Sequence, residues 1–486
     1  MKILLYRPDS GIYTVLPPIG LMALSSYIRS NSPHEAYIYD GREACADDDM
    51  LRRKIEEIRP NVVGISTLTM ERLEGHHAAN VIKERFPDIT VVMGGAYVTS
   101  DLEDALQNRS IDYCVADEGE IPIVNLLNAM QDNRQVDGFK GLAYKRDGEI
   151  IFHGQEDFID DLNELPQIAW DLIDLERYFY NKKRPTPMNL HVKRTRSAPI
   201  LTTRGCPYRC TYCHNLFGKK LRQRSVEHVM EEVRYLKHEK GVEEIEIIDD
   251  VFNLDLERAK EFCRKVIDEK LNLCFSFPNG LRADRAPDEL IDLMIAMGTY
   301  RIVFAVESGS PQIQKEMKKN LNLEKARHAI DYTASEGISV GAFFILGFLN
   351  ETEEQARMTI DFACSSKLST ASFFILTPFP NTEIFRQAQE AGYQIADTSL
   401  THYYALGSNI SKIPDDKLHK LVNYAYRRFY LHPARILRFF RTTPWHRFFF
   451  RKVFIILLFF FKKFKAETKT SLEMVEKSKW KRSRYS

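Results

Sequence analysis

Five short apolar runs, each followed by an amphipathic stretch, occupy the first 130 residues and constrain the fold of this chain most. The apolar runs are residues 3–6, 36–39, 62–66, 90–93 and 113–116, and the helical patterns after them are 19–29, 50–58, 76–85, 102–106 and 121–130. Strands that alternate with helices in this way predict an α/β domain with a doubly wound parallel sheet and helices on both faces.

Ligands of such sheets sit outside the carboxyl ends of the strands, so the loops that follow the strands are the first candidates for a binding site. These loops are residues 8–20, 66–69, 94–100 and 117–120. Gly94 and Gly95 would let the backbone approach a bulky ligand closely. The alternative is that both are ordinary turn glycines.

A second series of apolar runs predicts a partial or complete β/α barrel. Its runs are residues 200–203, 245–248, 273–277, 302–306, 340–346 and 373–376. The predicted domains are therefore a sheet domain at 1–135, a linker at 136–195 with a short hairpin near 142–152, a barrel at 196–395 and a helical C-terminal region at 396–486.

Three of the eight cysteines, Cys206, Cys210 and Cys213, lie within eight residues, on the loop that leaves the first barrel strand. Three thiolates at this spacing can hold three irons of a four-iron cluster and leave the fourth iron open to a ligand from outside the protein. The alternative is a zinc site completed by His214 or by a distant cysteine. The other five cysteines are scattered, which favours a reducing compartment over a disulfide framework.

The triad, with Tyr212 as the aromatic residue before its last cysteine, resembles the signature of the radical S-adenosylmethionine (SAM) enzymes, and the resemblance covers about 196–392. It implies that Cys206, Cys210 and Cys213 ligate a [4Fe-4S] cluster whose open iron chelates SAM, and that Tyr212 lies near the adenine. An electron from an external donor, such as a flavodoxin or ferredoxin, would then cleave SAM to a 5′-deoxyadenosyl radical.

Later segments are similar to further elements of the family. Asp249 and Asp250 end the second barrel strand, where the family binds the amino group of SAM, although the usual GGE is absent. Glu307 and Ser308 look like the element that contacts the ribose or methionine part, while a carboxylate there could instead be an ion-pair partner. Residues 344–352 are similar to a FxxGLPGET pattern with Leu and Asn in place of Pro and Gly.

The strand-end loops of the first domain resemble the cobalamin-binding domain of the cobalamin-dependent radical SAM family, over about residues 1–130. Tyr97 stands where that family commonly has the histidine of GGxH, and no DxHxxG occurs. The resemblance implies a base-off cobalamin held by backbone, hydroxyl and apolar contacts. The candidate contacts are Ser66, Thr67, Leu68, Gly94, Gly95, Thr99, Glu118, Gly119 and Glu120.

We therefore expect a cobalamin-dependent radical SAM enzyme that acts at an unactivated carbon of a hydrophobic or lipid-like substrate, most commonly by methyl transfer. Carbon–carbon bond formation, cyclisation and rearrangement are the alternatives within the family. A tRNA methylthiotransferase would need an additional cysteine triad near its N-terminus, where only Cys45 and Cys114 stand. A non-enzymatic sensor would have no use for an intact triad on a complete barrel.

The net charge of +1 conceals a basic C-terminus, because residues 417–466 contain thirteen Lys or Arg and no Asp or Glu. Within this segment, Trp445 precedes the apolar run 453–461, which as a helix reaches roughly 14 Å, about half of a bilayer core of ~30 Å. We expect a cytoplasmic protein, since the N-terminal apolar run is too short for a signal peptide. We also expect its basic C-terminal tail to dock on the inner face of the membrane. The alternative is a Phe-rich helix that packs on the barrel. No nucleic-acid partner is expected.

Overall fold

The computed structural model describes residues 1–10, 16–179, 192–214, 216–395 and 408–442, which form two large sheets flanked by helices and one two-stranded sheet. The elements of the first domain are β1 (Lys2–Arg7), α1 (Ile19–Asn31), β2 (Glu35–Asp40), α2 (Gly41–Ala44), α3 (Asp48–Ile58), β3 (Val62–Ser66), α4 (Arg72–Arg85), β4 (Thr90–Gly94), α5 (Ala96–Ser100), α6 (Leu102–Gln107), β5 (Tyr113–Val115), α7 (Glu120–Gln131), β6 (Leu142–Arg146) and β7 (Glu149–Phe152). Strands β1 to β5 pair in parallel in the order β2-β1-β3-β4-β5, so the predicted doubly wound sheet is confirmed.

The hairpin β6–β7 belongs to this first sheet and not to a linker. Tyr144 in β6 lies opposite Tyr113 in β5, and the two strands pair antiparallel. Strand β5 has only three residues and would otherwise present an unpaired edge, and the hairpin covers that edge while burying Leu142 and Ala143. The predicted domain end at residue 135 is therefore corrected, since the first sheet continues to Phe152.

The second sheet has six parallel strands in chain order and forms a partial barrel, as predicted. After α8 (Glu176–Phe179), the elements of this part of the chain are β8 (Ser197–Ile200), β9 (Thr203–Arg204), β10 (Arg222–Gln223), α9 (Val226–His238), β11 (Glu244–Ile247), α10 (Leu256–Glu269), β12 (Cys274–Leu281), α11 (Asp288–Ala296), β13 (Thr299–Glu307), α12 (Pro311–Glu316), α13 (Leu323–Ser335), β14 (Ser339–Leu346), α14 (Glu353–Ser365), β15 (Thr370–Ile375), α15 (Glu383–Glu390), α16 (Asp415–Tyr430) and α17 (Pro433–Thr442). Strands β9 and β10 pair only with each other, outside the six-stranded sheet. One side of each strand packs on the helices through buried side chains such as Phe304, Phe344 and Phe373.

The segment between the hairpin and the barrel is predicted to be a linker, but its buried residues pack on the barrel. Trp170 is buried in the barrel core, and its indole N–H donates to Glu232 in α9 at 2.8 Å. Arg224 forms an ion pair with the same carboxylate at 2.5 Å, and both of these charged side chains are buried. One buried carboxylate therefore joins the connecting segment, the loop before α9 and the barrel core.

The C-terminal helices close the free edge of the barrel sheet. Tyr426 and Tyr430 of α16 each accept a hydrogen bond from a backbone N–H of β15 through the hydroxyl and donate back to a carbonyl, on Phe373 and Ala371 respectively. The predicted helical C-terminal region is found as far as Thr442. The predicted interfacial tail, with Trp445 and the apolar run, lies outside the described residues. Of the described helices, none is long and apolar enough to cross a membrane.

We predict that Glu232→Ala lowers the free energy of unfolding of the barrel by about 3 kcal/mol, because it leaves the Arg224 guanidinium and the Trp170 N–H buried without their acceptor. Denaturant titration followed by tryptophan fluorescence measures the change. The neighbouring Glu231→Ala is the matched control, since Glu231 is exposed and accepts from Gln167. Equal effects of the two variants would contradict this account of the connecting segment.

Candidate functional site

The cysteine loop joins β9 to β10, two short antiparallel strands at the carboxyl end of the barrel. The Cys206 N–H donates to Gly218 at 3.2 Å, and Thr211 bonds through its backbone to Met317 and Ile384. Gly205 has a φ of +85°, and a Cβ atom there would lie 2.2 Å from the Lys220 carbonyl oxygen. The turn into the triad therefore requires glycine.

The three cysteine residues of this loop differ in exposure: Cys206 and Cys210 are half-buried and Cys213 is exposed. Burial raises the pKa of the Cys206 thiol, and the nearby Cys210 thiol raises it further. Burial also raises the pKa of Cys210, while Lys319 and Arg282 oppose that shift. In the described part of the chain, no three His, Cys, Asp or Glu side chains are grouped closely enough to hold one metal ion. Three thiols near two cations are donors of the kind that an iron–sulfur cluster binds as thiolates.

His214, the fourth zinc ligand in the alternative interpretation, makes its contacts with other groups. Its Nδ1 lies 3.0 Å from the Ser100 hydroxyl of the first domain, and its ring centroid is 5.2 Å from that of Phe379. Burial lowers the pKa of this imidazole. The residue after the triad therefore connects the cysteine loop to the first domain.

Glu307 at the end of β13 is buried and forms an ion pair with Lys319 at 3.1 Å. This is the ion-pair role that the sequence left open as the alternative to a cofactor contact. Its φ of +67° is unusual for a residue other than glycine and marks strained backbone at a strand end. The Lys319 ammonium also lies 3.5 Å from the Tyr212 hydroxyl. The Tyr212 ring packs edge-on against Phe348 at 5.7 Å. These residues form a wall beside the triad. The sequence alone does not identify Lys319 as part of this wall.

Two of the predicted SAM contacts turn their side chains toward the protein. Asp249 is buried, and its carboxylate accepts from both the backbone N–H and the hydroxyl of Thr202. The Ser308 hydroxyl is fully buried against Thr359. Any cofactor contact of Asp249 or Ser308 would therefore use backbone atoms. Asp250 is exposed, so its carboxylate remains the candidate partner for an ammonium group.

At the carboxyl edge of the first sheet, polar atoms and a glycine turn form a cradle. Gly95 has a φ of +94°, and a Cβ atom there would meet the Thr67 carbonyl oxygen at 2.7 Å and the Ser66 hydroxyl at 3.0 Å. The hydroxyl of Thr67 and one carboxylate oxygen of Asp117 are buried and have no hydrogen-bond partner among the described residues. Two orphaned buried oxygens beside a glycine turn fit a large ligand that supplies polar groups at this edge.

The remaining cradle residues surround these atoms. Thr99 holds the next loop, because its hydroxyl accepts from the Asp117 N–H at 2.9 Å. Leu68, in the loop that follows β3, is 42% exposed. A Cβ atom on Gly94 would touch only Val115, at 3.4 Å or more.

Tyr97, at the position of the family's histidine, points into the domain. It is fully buried, and its hydroxyl lies 2.8 Å from His76 Nε2 and donates to Asp104 at 2.6 Å. His77 lies 3.0 Å from Asp48, so both imidazoles contact other side chains of this domain. Because residue 97 is a buried tyrosine, this position offers no imidazole to a ligand in the cradle.

Glu118 and Glu120 connect the two domains instead of facing the cradle. Arg222 binds Glu118 at 2.7 Å, and Arg204 binds Glu118 at 3.1 Å and Glu120 at 2.7 Å. All four side chains are buried. We name them the interdomain ion cluster. Because Arg204 and Arg222 lie in the two strands that carry the cysteine loop, this cluster holds that loop against the first domain. The sequence does not identify it, since an arginine beside a cysteine motif has no distinguishing pattern.

The barrel lumen beside the triad is apolar near its mouth. Ala305 lies opposite Phe343 in the strand register, and Ile345 lies opposite Phe374. All four alternate with the residues that pack on the helices, and all four are half-buried. The Phe343 and Phe374 ring centroids are 5.8 Å apart. The mouth of the lumen thus offers accessible aromatic and aliphatic surface.

Comparison with known proteins agrees with this architecture. A family model described as the B12 binding domain matches residues 11–127, and one for the Radical SAM superfamily matches residues 200–363. An uncharacterized methyltransferase of Pyrococcus horikoshii is 30% identical, over 90% of this chain and 94% of its own length. The anaerobic magnesium-protoporphyrin IX monomethyl ester cyclase of Rubrivivax gelatinosus is 25% identical, over 86% of this chain and 74% of its own.

A solved structure gives the same fold. The radical SAM methyltransferase TsrM from Kitasatospora setae, with cobalamin and a [4Fe-4S] cluster bound, superimposes with a TM-score of 0.69. The match covers 80% of this chain and 78% of that one at 20% sequence identity. The order of the two sheets and their connection are therefore shared with a protein that holds both groups.

We predict a pH-dependent stability from Asp117, whose pKa is raised to about 6 by burial and then by Glu118. Because the folded-state pKa lies above the usual 3.8, the folded chain binds the proton more tightly, and stability falls as pH rises from about 4 to about 6. Asp117→Asn should remove this slope and stabilise the chain by about 1–2 kcal/mol at pH 8. Asparagine also tolerates the positive φ at this position.

Thermal unfolding of the ligand-free chain at several pH values measures this difference. Asp132→Asn serves as control, because Asp132 is exposed and pairs with Arg134. A slope that persists in Asp117→Asn would assign the pH dependence to another group.

Proposed function

The chain belongs to the radical SAM enzymes that carry a B12-binding domain ahead of the radical SAM domain, and on this basis we propose that it transfers a methyl group to an unactivated carbon of a hydrophobic substrate. Its cofactors are SAM, a [4Fe-4S] cluster and cobalamin. When bound, SAM on the cluster supplies radical chemistry and cobalamin supplies the transferable methyl group.

One observation carries the proposal: the strand-end loops of both domains meet beside the cysteine triad. His214 contacts Ser100, and the Asn381 side chain donates to the Thr99 carbonyl oxygen at 3.3 Å. The interdomain ion cluster lies at the base of the same loops. A substrate between the two edges would lie within reach of both cofactors, which a methyl transfer that needs a radical requires.

We assign roles to the residues that line these edges. Cys206, Cys210 and Cys213 would ligate the cluster. Tyr212, Asp250 and Glu307 would face SAM, with Lys319 holding the Glu307 carboxylate in place. The cradle would hold cobalamin through Ser66, Thr67, Leu68, Gly94, Gly95 and Thr99, and the buried Tyr97 would supply no imidazole ligand from its position.

The apolar mouth of the lumen supports a hydrophobic substrate. Phe343, Ile345 and Phe374 keep part of their surface accessible, and burial of such surface by a ligand is favourable by about 25 cal/mol per Å². A Cβ atom at Gly280 would lie 3.1 Å from the Ala305 Cβ and 3.5 Å from the Phe343 ring, so a larger side chain at position 280 would crowd this surface.

Cyclisation or another rearrangement of a carbon skeleton is the second candidate. The similarity to the magnesium-protoporphyrin ester cyclase extends over 86% of this chain, so both domains have counterparts in a protein named for ring formation. The two reactions differ in mass balance, since only methyl transfer adds carbon to the substrate.

The proposal includes an acidic one-electron donor, such as a flavodoxin or ferredoxin. Arg209 and Lys219 on the cysteine loop and Lys315 on α12 are exposed. The Lys219 ammonium donates to the Tyr208 carbonyl oxygen, within the triad itself. Cations around the loop would attract an acidic protein toward the cluster and speed its association.

The methyl-transfer prediction is tested in cells grown with methyl-deuterated methionine. Cells with the wild-type chain should contain a compound heavier by one deuterated methyl group than its counterpart in cells with Cys206→Ala, which loses a cluster ligand. Cys263→Ala is the matched control, because Cys263 is buried in the barrel core and should leave the product unchanged. A product without the label, formed only with an intact triad, would select rearrangement.

The cobalamin prediction uses Gly94→Ala. The Cβ atom meets the protein only at ordinary contact distance, so the fold should tolerate it, whereas a corrin against the backbone would be displaced. Equilibrium binding should weaken at least tenfold with unchanged thermal unfolding and cluster content. The cob(II)alamin paramagnetic resonance spectrum of the wild type should lack axial nitrogen splitting. Nitrogen splitting, or unweakened binding by Gly94→Ala, would contradict the assigned cradle.

A further inference from the structure

Exposed apolar side chains concentrate on the last two described helices. Tyr424, Leu431, Ile436 and Leu437 are 41%, 61%, 42% and 51% exposed. They are four of the eight large hydrophobic side chains that are exposed among the described residues, and all four fall within α16, α17 and the turn between them. We name this surface the α16–α17 face.

Packing fixes the direction in which α17 presents its apolar residues. Arg435 is buried and donates to the carbonyl oxygens of Ala363 and Ser366, at the C-terminal end of α14. Arg438 donates to Leu368. With Arg435 and Arg438 turned inward, the helical period places Ile436 and Leu437 on the outer side. The apolar exposure is therefore a consequence of how the helix is anchored.

Cations border the apolar residues. A shallow groove of about 470 Å³ is lined by Lys420, Asn423, Tyr424, Arg427, Arg428 and Leu431. Lys420 pairs with Asp416 and Arg428 with Asp361, and these pairs are well exposed, so they compete weakly with another anion. From residue 417 to 442 the chain has seven Lys or Arg and no Asp or Glu.

We propose that the α16–α17 face docks the enzyme on an anionic phospholipid bilayer. Leu431, Ile436 and Leu437 enter the acyl boundary, while the cationic groove beside them takes lipid phosphates. This combination selects a bilayer over an RNA or a free phosphate, because neither of those gains from burying three aliphatic side chains. The basic sequence that continues to residue 466 extends the same charge complementarity. The proposal does not depend on the reaction catalysed.

Flotation of the full-length protein with vesicles tests the docking. Wild type should float with phosphatidylglycerol vesicles, float poorly with phosphatidylcholine vesicles and dissociate at high salt. The double variant Lys420→Glu with Arg427→Glu should bind anionic vesicles at least about thirtyfold more weakly, because each lost cation costs about 1 kcal/mol and each new carboxylate adds repulsion. Leu431→Ser with Leu437→Ser should weaken binding to a similar extent without a change in charge.

The matched control for the charge variant is Arg85→Glu with Lys325→Glu, two exposed cations on other helices. It changes the net charge equally and should float as the wild type does. Cluster content and SAM cleavage, which should stay unchanged in every variant, show that each variant is folded. Failure of the wild type to float, or equal flotation of the face variants and the control, overturns the proposal.

Discussion

The interdomain ion cluster is the contact on which the arrangement of this molecule depends. Arg204 lies two residues before the first cysteine of the triad, and its guanidinium reaches two carboxylates of the first domain. Buried ion pairs add little to stability relative to an apolar contact, but loss of one partner leaves a buried charge and costs several kcal/mol. The main effect of such a cluster is therefore to select one arrangement of the two domains, and its contribution to the stability of each domain is small. The ring of Phe158, 4.7 Å from the Arg222 guanidinium, completes its enclosure.

The alternation of apolar runs was sufficient to predict both sheets, because a buried parallel strand leaves a continuous apolar run in the sequence. Its limits appear where long-range pairing decides the structure. The sequence predicts the hairpin near residues 142–152 but places it in a linker, since nothing local indicates that Tyr144 pairs with Tyr113. The strands β9 and β10 have two residues each, too few for a periodic signal.

Residue types in the site were predicted better than the directions of their side chains. The triad is recognisable because its spacing is itself the signal. Asp249, Ser308, Glu118 and Glu120 were candidates by position at strand ends, yet each spends its polar atoms on another part of the protein. Strand-end carboxylates serve loop geometry as readily as ligand binding, and the partner that decides between them lies far away in sequence. Lys319 is the converse case, because no sequence motif marks it and only its ion pair with Glu307 places it beside the triad.

The two tyrosines of α16 have a consequence for the integrity of the barrel. Four residues of helix advance about 6 Å and two residues of strand about 6.6 Å, so Tyr426 and Tyr430 match alternate backbone groups of β15. A row of unpaired N–H and carbonyl groups would otherwise be a template for strands of other molecules. The helix that carries the basic groove is thus also a guard against self-association. Chains that end before Asp415 would lose this guard and expose a strand that invites aggregation.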